Sequence, residues 1–371
     1  MIIGVPKEIK NNEYRVALMP SGVKTLVENN HKVLIQKSAG EGSSVSDAEY
    51  LEAGSVIVEK VEEIFRKADM ILKVKEPLPP EFDLLREDQV LFTYLHLAPS
   101  FDLTNLLLEK KIIGIGYETV QLANGSLPLL TPMSEIAGKL AVQVGAHYLE
   151  KENGGRGVLL GGVTGTRPAN VVVAGGGTVG LNAAKVALGM GANVILLDIN
   201  VDRLRVISNI LEGRLTLLVS NSENMENSVR DADVVVGALL IPGARATKVI
   251  TRYMVSKMRR GSVIVDVAID QGGCAETSAP TSFDKPTFTV HGVIHYCVEN
   301  MPSCVSNTST LALTNATFPY VLELANLGYQ KALAQDIPLR KGLNIYKGKL
   351  TNQSVAEAVK GKYTPYEEIG Y

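Results

Sequence analysis

The sequence contains few cysteines, and their arrangement argues against a fold built on disulfides. Cys274, Cys297 and Cys304 are an odd number without paired spacing, which fits a reducing cytoplasm better. His291 and His295 lie near Cys297, but His-x3-His-x-Cys matches no common zinc pattern. We therefore predict that these five residues are structural, and we expect no metal site.

The sequence also lacks a charge excess and an apolar run of membrane length. Its formal net charge is −2, so nothing points to a nucleic-acid or membrane partner. The apolar start, residues 1–7, is too short for a signal peptide. Residues 231–242 are strongly apolar but fall far short of the ~20 residues that span a membrane. We interpret them as a buried parallel strand.

The chain of 371 residues is long enough for two domains. In its first third, short apolar runs alternate with helical patterns, which predicts a parallel sheet with helices on its faces. The predicted strands are residues 1–5, 32–36, 70–74, 90–95 and 112–117, and helical patterns include 21–29 and 46–53. This part has no glycine signature for phosphate, so we expect it to hold the substrate.

A loop with Gly125, Pro128 and Pro132 marks the predicted domain boundary. Ser134 is predicted to be the N-cap of a long helix that Gly154 and Gly155 end. Six further strands, as a Rossmann domain requires, are predicted at residues 171–174, 194–197, 215–219, 234–238, 263–268 and 288–291.

Residues 308–328 are helical in pattern, and Pro319 is predicted to kink or break that helix. The tail to residue 371 is too short for a domain, so we expect it to pack back on the first one. The predicted fold is α/β with two doubly wound parallel-sheet domains. Residues 1–128 and 308–371 would form a discontinuous substrate domain, and 129–307 a Rossmann dinucleotide-binding domain.

The clearest motif lies where an apolar strand pattern meets a helical one. Gly175, Gly177 and Gly180 form G-x-G-x-x-G, which supplies a tight turn, room for a pyrophosphate, and close helix packing. The helix N-terminus offers N–H groups to the phosphates. Asp198 ends the next predicted strand, where it could accept hydrogen bonds from ribose and disfavour a 2′-phosphate. The sequence therefore predicts NAD binding in preference to NADP.

Four polar residues follow other predicted strands or end them. In parallel sheets, ligands bind outside the carboxyl ends of the strands. Arg15 and Lys75 could hold a carboxylate substrate, Arg15 by a bidentate fork and Lys75 as a point charge. His96 and Asp270 could move protons near neutral pH.

Each of the four has an ordinary structural alternative. Arg15 could pair with Glu13, and the lysines of residues 73–75 could be solvated. His96 could be a hydrogen-bonded core histidine, and Asp270 could cap a turn. The functional interpretation depends on their joint occurrence at strand ends.

With these residues assembled, the sequence resembles the alanine dehydrogenases, whose family also contains the nucleotide-binding part of proton-translocating transhydrogenase. The resemblance covers essentially the whole chain. The motifs that carry it are residues 4–8, 11–16, 73–77, 94–97, 132–135, 198, 266–273, 300–302 and 313–317.

The resemblance implies reversible oxidative deamination of L-alanine to pyruvate and ammonia with NAD, in a homohexamer with a cleft between two domains. The cysteines point to a cytoplasmic protein. It implies substrate binding by Arg15 and Lys75 and catalysis by His96 and Asp270. Tyr94, Gln271, Asn300 and Met301 would border the substrate pocket. The implied cofactor contacts are Ser134, Gly175, Gly177, Thr178, Val179, Gly180, Asp198, Arg203, Ser220, Leu239, Val267, Ala268, Ile269, Asp270, Val298 and Met301.

Two departures from the family pattern and two alternatives accompany this interpretation. The family commonly has Arg where this chain has Ala279, and Pro with a basic residue where it has Ser306 and Asn307. We expect the first departure to weaken cofactor binding and the second to loosen a hinge. One alternative is a transhydrogenase subunit that docks on membrane partners, which the presence of His96 disfavours. The other is a non-catalytic NAD-binding protein.

Overall fold

The computed structural model describes residues 1–239 and 247–369. Its strands are β1 Ile2–Val5, β2 Lys32–Gln36, β3 Val56–Val58, β4 Met70–Leu72, β5 Val90–Thr93, β6 Ile113–Gly116, β7 Asn170–Ala174, β8 Asn193–Asp198, β9 Leu215–Val219, β10 Val234–Gly237, β11 Val263–Asp266, β12 Thr287–Val290, β13 Val293–Tyr296, β14 Leu343–Tyr346 and β15 Lys349–Leu350. Strand β10 lies in the apolar segment 231–242, of which residues 240–242 are outside the described ranges.

Helices connect these strands and cover the sheets. They are α1 Pro20–Glu28, α2 Asp47–Glu52, α3 Val61–Lys67, α4 Pro79–Phe82, α5 Phe101–Glu109, α6 Thr131–Tyr148, α7 Thr178–Gly189, α8 Val201–Ile210, α9 Ser222–Arg230, α10 Arg252–Lys257, α11 Ser306–Gln335, α12 Ile337–Lys341 and α13 Gln353–Ala358. Short 3-10 helices lie at Glu41–Ser43, Tyr117–Thr119, Lys151–Asn153, Val267–Gln271, Met301–Val305 and Tyr366–Glu368.

The chain divides into two compact units. The first unit is Met1–Met133 with Ser303–Tyr371, and the second is Ser134–Pro302. The sequence-based boundaries, after residues 128 and 307, lie close to these.

The first unit contains a mixed sheet in the order β15-β14-β6-β5-β4-β1-β2-β3. Strands β1 to β6 are parallel, and β4 and β5 are buried along their whole length, as expected for strands covered on both faces. The tail returns to this sheet, where β14 pairs antiparallel with β6 and β15 with β14. The tail therefore completes the sheet that the first third of the chain begins.

The second unit contains a sheet in the order β12-β13-β11-β10-β7-β8-β9. From β7 the chain moves outward through β8 to β9, and then from β10 outward through β11 to β13, all parallel. This is the order of a Rossmann domain, in which the direction of winding changes between β7 and β10. The predicted fold class is confirmed, with antiparallel strands at one edge of each sheet.

The sixth predicted strand of this domain is assigned wrongly by the sequence. Residues 288–291 overlap β12, which runs antiparallel to β13. His291 and Gly292 have φ of 53° and 81°, as in the two-residue turn of a tight hairpin. The sixth parallel strand is therefore β13, which the sequence pattern did not separate from the hairpin.

The predicted N-cap of the long helix is also wrong. Helix α6 begins at Thr131, so Ser134 lies within its first turn and not before it. Pro132 is tolerated there because the first helical residues need no N–H partner inside the helix. The helix ends at Tyr148, before Gly154, which has a φ of 86° after the 3-10 helix Lys151–Asn153.

Helix α11 departs from the prediction at Pro319. Its non-helical backbone occurs at Gly328 (φ 74°, ψ 155°), because glycine has no Cβ to oppose a positive φ. At the start of this helix, Ser306 Oγ donates to Gly42 O at 2.5 Å and Asn307 Nδ2 to Ser43 O at 3.0 Å. The side chains of Ser306 and Asn307, which stand where the family commonly has Pro and a basic residue, thus have hydrogen-bond partners within the first unit.

Candidate active site and dinucleotide site

The sequence-predicted residues of the first unit lie at one edge of its sheet. Strands β1, β4, β5 and β6 are parallel neighbours, so their carboxyl ends are adjacent. Arg15 lies in the loop after β1, Lys75 after β4, and Tyr94 and His96 after β5. Thr93 Oγ1 donates to Lys75 O at 2.9 Å, which joins two of these strand ends.

Arg15 is buried and forms a bidentate ion pair with Glu13. Its Nε lies 2.6 Å from Glu13 Oε1, and its Nη2 lies 2.5 Å from Oε2. Nη1 is 3.0 Å from Met133 Sδ. Burial opposes the charge of Arg15, but the paired carboxylate outweighs it and raises the pKa of the guanidinium. Pairing with Glu13 therefore keeps the guanidinium charged. The alternative that Arg15 pairs with Glu13 is confirmed, and this carboxylate uses both Nε and Nη2.

Lys73 and Lys75 have different surroundings. Lys73 is fully buried, and its Nζ lies 3.1 Å from Glu8 Oε2 and 2.8 Å from Glu81 Oε1. Burial lowers the pKa of Lys73, but the two carboxylates outweigh burial and raise it. The backbone N–H of Lys75 donates to Glu8 Oε1 at 3.3 Å. Lys73 thus belongs to an internal ion cluster. Lys75 is buried as well, so the alternative that these two lysines are solvated is wrong.

Tyr94 and His96 occupy contrasting positions after β5. Tyr94 is buried and donates its Oη–H to Leu129 O at 2.6 Å, and burial raises the pKa of its phenol. The His96 side chain is exposed between buried Leu95 and Leu97, so the alternative of a core histidine is wrong. The φ of His96 is 49°, a left-handed conformation that is uncommon for a residue with a Cβ.

Sequence reasoning missed Glu118, which lies beside His96. Glu118 Oε1 accepts the backbone N–H groups of Leu95 at 3.1 Å and His96 at 2.8 Å. Glu118 follows β6, the next strand of the same edge. The rule that sites lie at carboxyl ends of parallel strands, applied to this strand as well, would have found it.

In the second unit, the three motif glycines have separate structural roles. Gly175 has a φ of 108°, and a Cβ on it would lie 2.7 Å from Ala238 O. A Cβ on Gly180 would overlap Gly175 O, so this glycine permits close packing of α7. A Cβ on Gly177 would meet no heavy atom within 4 Å in the part of the chain that the structure describes. The loop thus leaves room at the start of α7, as a pyrophosphate requires.

Asp198 lies at the end of β8 and contacts the glycine loop. Its Oδ2 accepts the N–H of Gly176 at 2.7 Å, and its Oδ1 accepts the N–H of Asn200 at 2.8 Å. Arg203 Nε donates to Gly176 O at 2.6 Å. Each carboxylate oxygen has a second lone pair, so the anchored Asp198 can still accept from a ribose hydroxyl.

The other expected cofactor residues follow the carboxyl ends of the same sheet. Thr178 and Val179 begin α7, Ser220 follows β9, Leu239 follows β10, Val267 to Asp270 follow β11, and Val298 to Met301 follow β13, whereas Ser134 lies in α6. The side chains of Ala268, Ile269, Val298 and Met301 are buried. Gln271 and Asn300 are half-buried, and Asn300 has a φ of 60°.

Asp270 is exposed on a short loop that a buried carboxylate anchors. It lies in the 3-10 helix Val267–Gln271, directly after fully buried Asp266. Asp266 Oδ2 accepts from Cys274 N at 2.8 Å, Ala275 N at 3.1 Å and Ser278 Oγ at 2.6 Å. These bonds fix the path of the chain on both sides of Asp270. The sequence motif contained Asp266, but its role as an anchor was not predicted.

His295, Cys274 and Cys297 are buried, whereas Cys304 and His291 are exposed. His295 Nε2 lies 2.7 Å from Thr277 Oγ1 and Nδ1 lies 3.0 Å from Val293 O, and burial lowers the pKa of the imidazole. Within residues 1–239 and 247–369, no group of three or more His, Cys, Asp or Glu side chains could hold a metal ion. Among the described helices, none has the length and apolar character to span a bilayer.

The fold and its strand-end residues define a two-unit α/β protein with a Rossmann dinucleotide-binding unit. The sequence matches the family "Alanine dehydrogenase/PNT" in its N-terminal domain over residues 4–137 and in its C-terminal domain over 141–353. The alanine dehydrogenase of Methanococcus maripaludis is 57% identical over 369 residues, 99% of each chain.

Two solved structures have the same fold as this chain. An L-alanine dehydrogenase superimposes with a TM-score of 0.94 at 52% identity, covering 97% of this chain and 99% of the other. A transhydrogenase from Sinorhizobium meliloti has a TM-score of 0.80 at 21% identity, covering 95% and 100%, which shows a shared fold alone. The chain belongs to the alanine dehydrogenase/PNT family, as the resemblance implied, and is a dehydrogenase. This family and its Rossmann fold imply a nicotinamide nucleotide cofactor.

Proposed function

We propose that the protein catalyses reversible, NAD-dependent oxidative deamination of L-alanine to pyruvate and ammonia. The observation that carries the proposal is that Arg15, Lys75, His96 and Asp270 all follow carboxyl ends of parallel strands. This is where open α/β sheets bind ligands. The similarity to alanine dehydrogenases over almost the full length supports the choice of substrate.

In this proposal the first unit binds the amino acid. Arg15 and Lys75 hold the substrate carboxylate, and the Glu13 pair keeps Arg15 charged and oriented. The neutral phenol of Tyr94, together with Gln271, Asn300 and Met301 of the second unit, borders the substrate. Positioning of Cα by these groups supplies much of the rate.

The second unit holds the cofactor. The pyrophosphate lies in the space beside Gly177, where the first N–H groups of α7 donate to it. Asp198 accepts hydrogen bonds from the ribose hydroxyls. Asp198 also selects NAD, because its charge opposes a 2′-phosphate. When bound, NAD supplies the acceptor for the hydride of Cα. The remaining residues expected at the cofactor, from Ser134 to Met301, contribute backbone and apolar contacts around it.

The proton transfers fall to His96 and Asp270. Oxidation of alanine at Cα gives iminopyruvate, which must add water and release ammonia. His96, exposed at its strand end, acts as the general acid and base, because imidazole titrates near neutral pH. Asp270, on the loop that Asp266 anchors, assists these transfers or orients the water.

The test is reduction of NAD by L-alanine with the parent chain and with His96→Ala. We expect turnover in the parent, a loss of about 10²- to 10⁴-fold in the variant, and unchanged NADH binding. His147→Ala removes another exposed histidine, in the second unit, and is the matched control. NADH binding by the parent without turnover of alanine would contradict the proposal and favour a non-catalytic binding protein.

We also propose a homohexamer that works in the cytoplasm. The family resemblance supports the hexamer, and the three unpaired cysteines fit a reducing compartment. Light scattering of the purified protein measures the mass directly. A monomer of 39.9 kDa would contradict the hexamer.

A further inference from the structure

We propose that Glu118 positions His96 for catalysis by holding the backbone at the end of β5. This inference rests on the proposed function, because it assigns to Glu118 an effect exerted through His96. Glu118 is a positioning residue and not a catalytic one, since its hydrogen bonds reach backbone groups of the chain.

The N–H of Leu95 needs a hydrogen-bond acceptor because the ladder between β5 and β6 ends before this residue. Strands β5 and β6 pair in parallel up to Thr93 and Gly116. Leu95, two residues further on, is fully buried, so its N–H must find a partner within the protein. Glu118 Oε1 accepts this N–H at 3.1 Å, and Oε2 lies 3.2 Å from the same nitrogen.

The same carboxylate holds the N–H of His96 at 2.8 Å. His96 has a φ of 49°, a left-handed conformation that is uncommon for a residue with a Cβ. This conformation breaks the extended path, and the imidazole is exposed between two buried leucines. The direction of the imidazole therefore depends on the backbone conformation that Glu118 stabilises by accepting these two N–H groups.

Glu118 itself lies on a well-supported turn. Its neighbour Tyr117 is fully buried, and the Tyr117 ring packs edge-on against Phe92 at 4.4 Å and Tyr94 at 5.1 Å between centroids. On the other side, Thr119 Oγ1 accepts from Asn344 Nδ2 at 2.7 Å and donates to Gly116 O at 3.1 Å. The carboxylate is thus presented to β5 from a fixed position.

The experiment compares Glu118→Gln with Glu118→Ala. Glutamine keeps an oxygen where Oε1 now accepts both N–H groups, whereas alanine removes both acceptors. In alanine oxidation we expect kcat to fall about 10- to 100-fold in Glu118→Ala. The Gln variant should recover most of this loss. The amount of NADH bound per chain should stay unchanged in both variants. Glu109→Ala, which removes an exposed glutamate of the same unit, is the control.

A double variant tests whether Glu118 acts through His96. If it does, Glu118→Ala should cause no further loss of kcat in the His96→Ala background, because the positioned group is already gone. A purely structural role predicts that the two losses multiply.

Three results would overturn the inference while the parent chain still oxidises alanine. The first is a kcat within twofold of the parent in Glu118→Ala. The second is an equal loss in the Gln and Ala variants, which would assign the effect to the charge of the carboxylate. The third is a loss of kcat that matches a loss of NADH binding sites, which would indicate partial unfolding. A parent chain without turnover would instead contradict the proposed function.

Discussion

The ligand edge of the first unit is built from buried charged side chains, whereas that of the second is built mainly from glycines and backbone groups. In the first unit, Arg15 pairs with Glu13, and Lys73 lies between Glu8 and Glu81, all buried. In the second unit, the loop from Gly175 to Gly180 contains four glycines and is the proposed pyrophosphate site, and Asp198 holds the N–H of Gly176.

This difference follows from the two ligands that we propose. An amino-acid carboxylate is small and charged, so fixed cations at short range can bind it and orient Cα. A pyrophosphate can be bound by several peptide N–H groups and a helix N-terminus, provided that side chains leave room. We therefore expect removal of a charge to impair stability or ligand binding at the edge of the first unit. At the edge of the second unit, we expect the same from an added Cβ.

The largest effect should come from Lys73→Met in the ion cluster of the first unit. The variant leaves Glu8 and Glu81 buried without their cation, so the free energy of unfolding should fall by about 3–5 kcal/mol. Urea unfolding measures the change. Lys67→Met removes the exposed pair with Glu63 and should change stability little. Equal changes in the two variants would contradict an internal role for Lys73.

The ion cluster of Lys73, Glu8 and Glu81 should also affect how the free energy of unfolding depends on pH. The pKa of Lys73 is raised in the folded protein above its ordinary value of 10.5, because the two carboxylates outweigh burial. Its contribution is therefore fully present below about pH 10.5 and is lost as the pH rises through the higher folded value. The free energy of unfolding of the parent protein should therefore fall as the pH rises above about 10.5. We expect a smaller fall in Lys73→Met, which lacks this titrating group.

In the second unit, one alanine substitution should lower stability and another should weaken NADH binding. Gly180→Ala places a Cβ against Gly175 O and should cost about 1–3 kcal/mol of stability. Gly177→Ala meets open space in the described structure, so folding should persist while NADH binding weakens. Thermal unfolding and NADH titration of both variants separate the two effects. Unchanged NADH affinity in Gly177→Ala would show that the space beside Gly177 is not used.

The contrast between the two edges explains what the sequence could predict. The glycine motif is local, and its three roles follow from spacing alone, so Gly175, Gly177 and Gly180 were placed correctly on a strand–helix junction. The hairpin of β12 and β13 was missed because its turn depends on the positive φ of His291, which composition does not reveal.

The charged residues at the edge of the first unit could be predicted only in part from the sequence. Lys73 and Lys75 share a period-two pattern and are both buried, and only the position of Glu81, on a separate helix, shows which lysine belongs to the ion cluster. Glu118 was missed because its partners are backbone N–H groups of another strand. Contacts between distant segments, and the backbone conformation of His96, need the folded structure.

A smaller effect is expected from Asp198→Ala, which tests the carboxylate that we propose accepts the ribose hydroxyls. Removal of the carboxylate should relieve its repulsion of a 2′-phosphate, and Arg203 lies near enough to hydrogen-bond the same loop. The ratio of kcat/KM for NADP to that for NAD should rise at least about tenfold, because like charges in contact cost several kcal/mol. An unchanged ratio would show that Asp198 serves only to hold Gly176.

The smallest effect should come from Ala279→Arg, which adds a cation where the family pattern commonly has one. Ala279 is exposed and follows Ser278, whose Oγ donates to the anchoring Asp266. An exposed cation near a phosphate gains about 1 kcal/mol or less, so NADH should bind up to about fivefold more tightly. Thr216→Arg adds the same charge at another exposed position of this unit and controls for net charge. If the two variants tighten binding equally, long-range attraction explains the gain. If only Ala279→Arg does, the family arginine contacts the cofactor, and this chain relies on its backbone where its relatives add a charge.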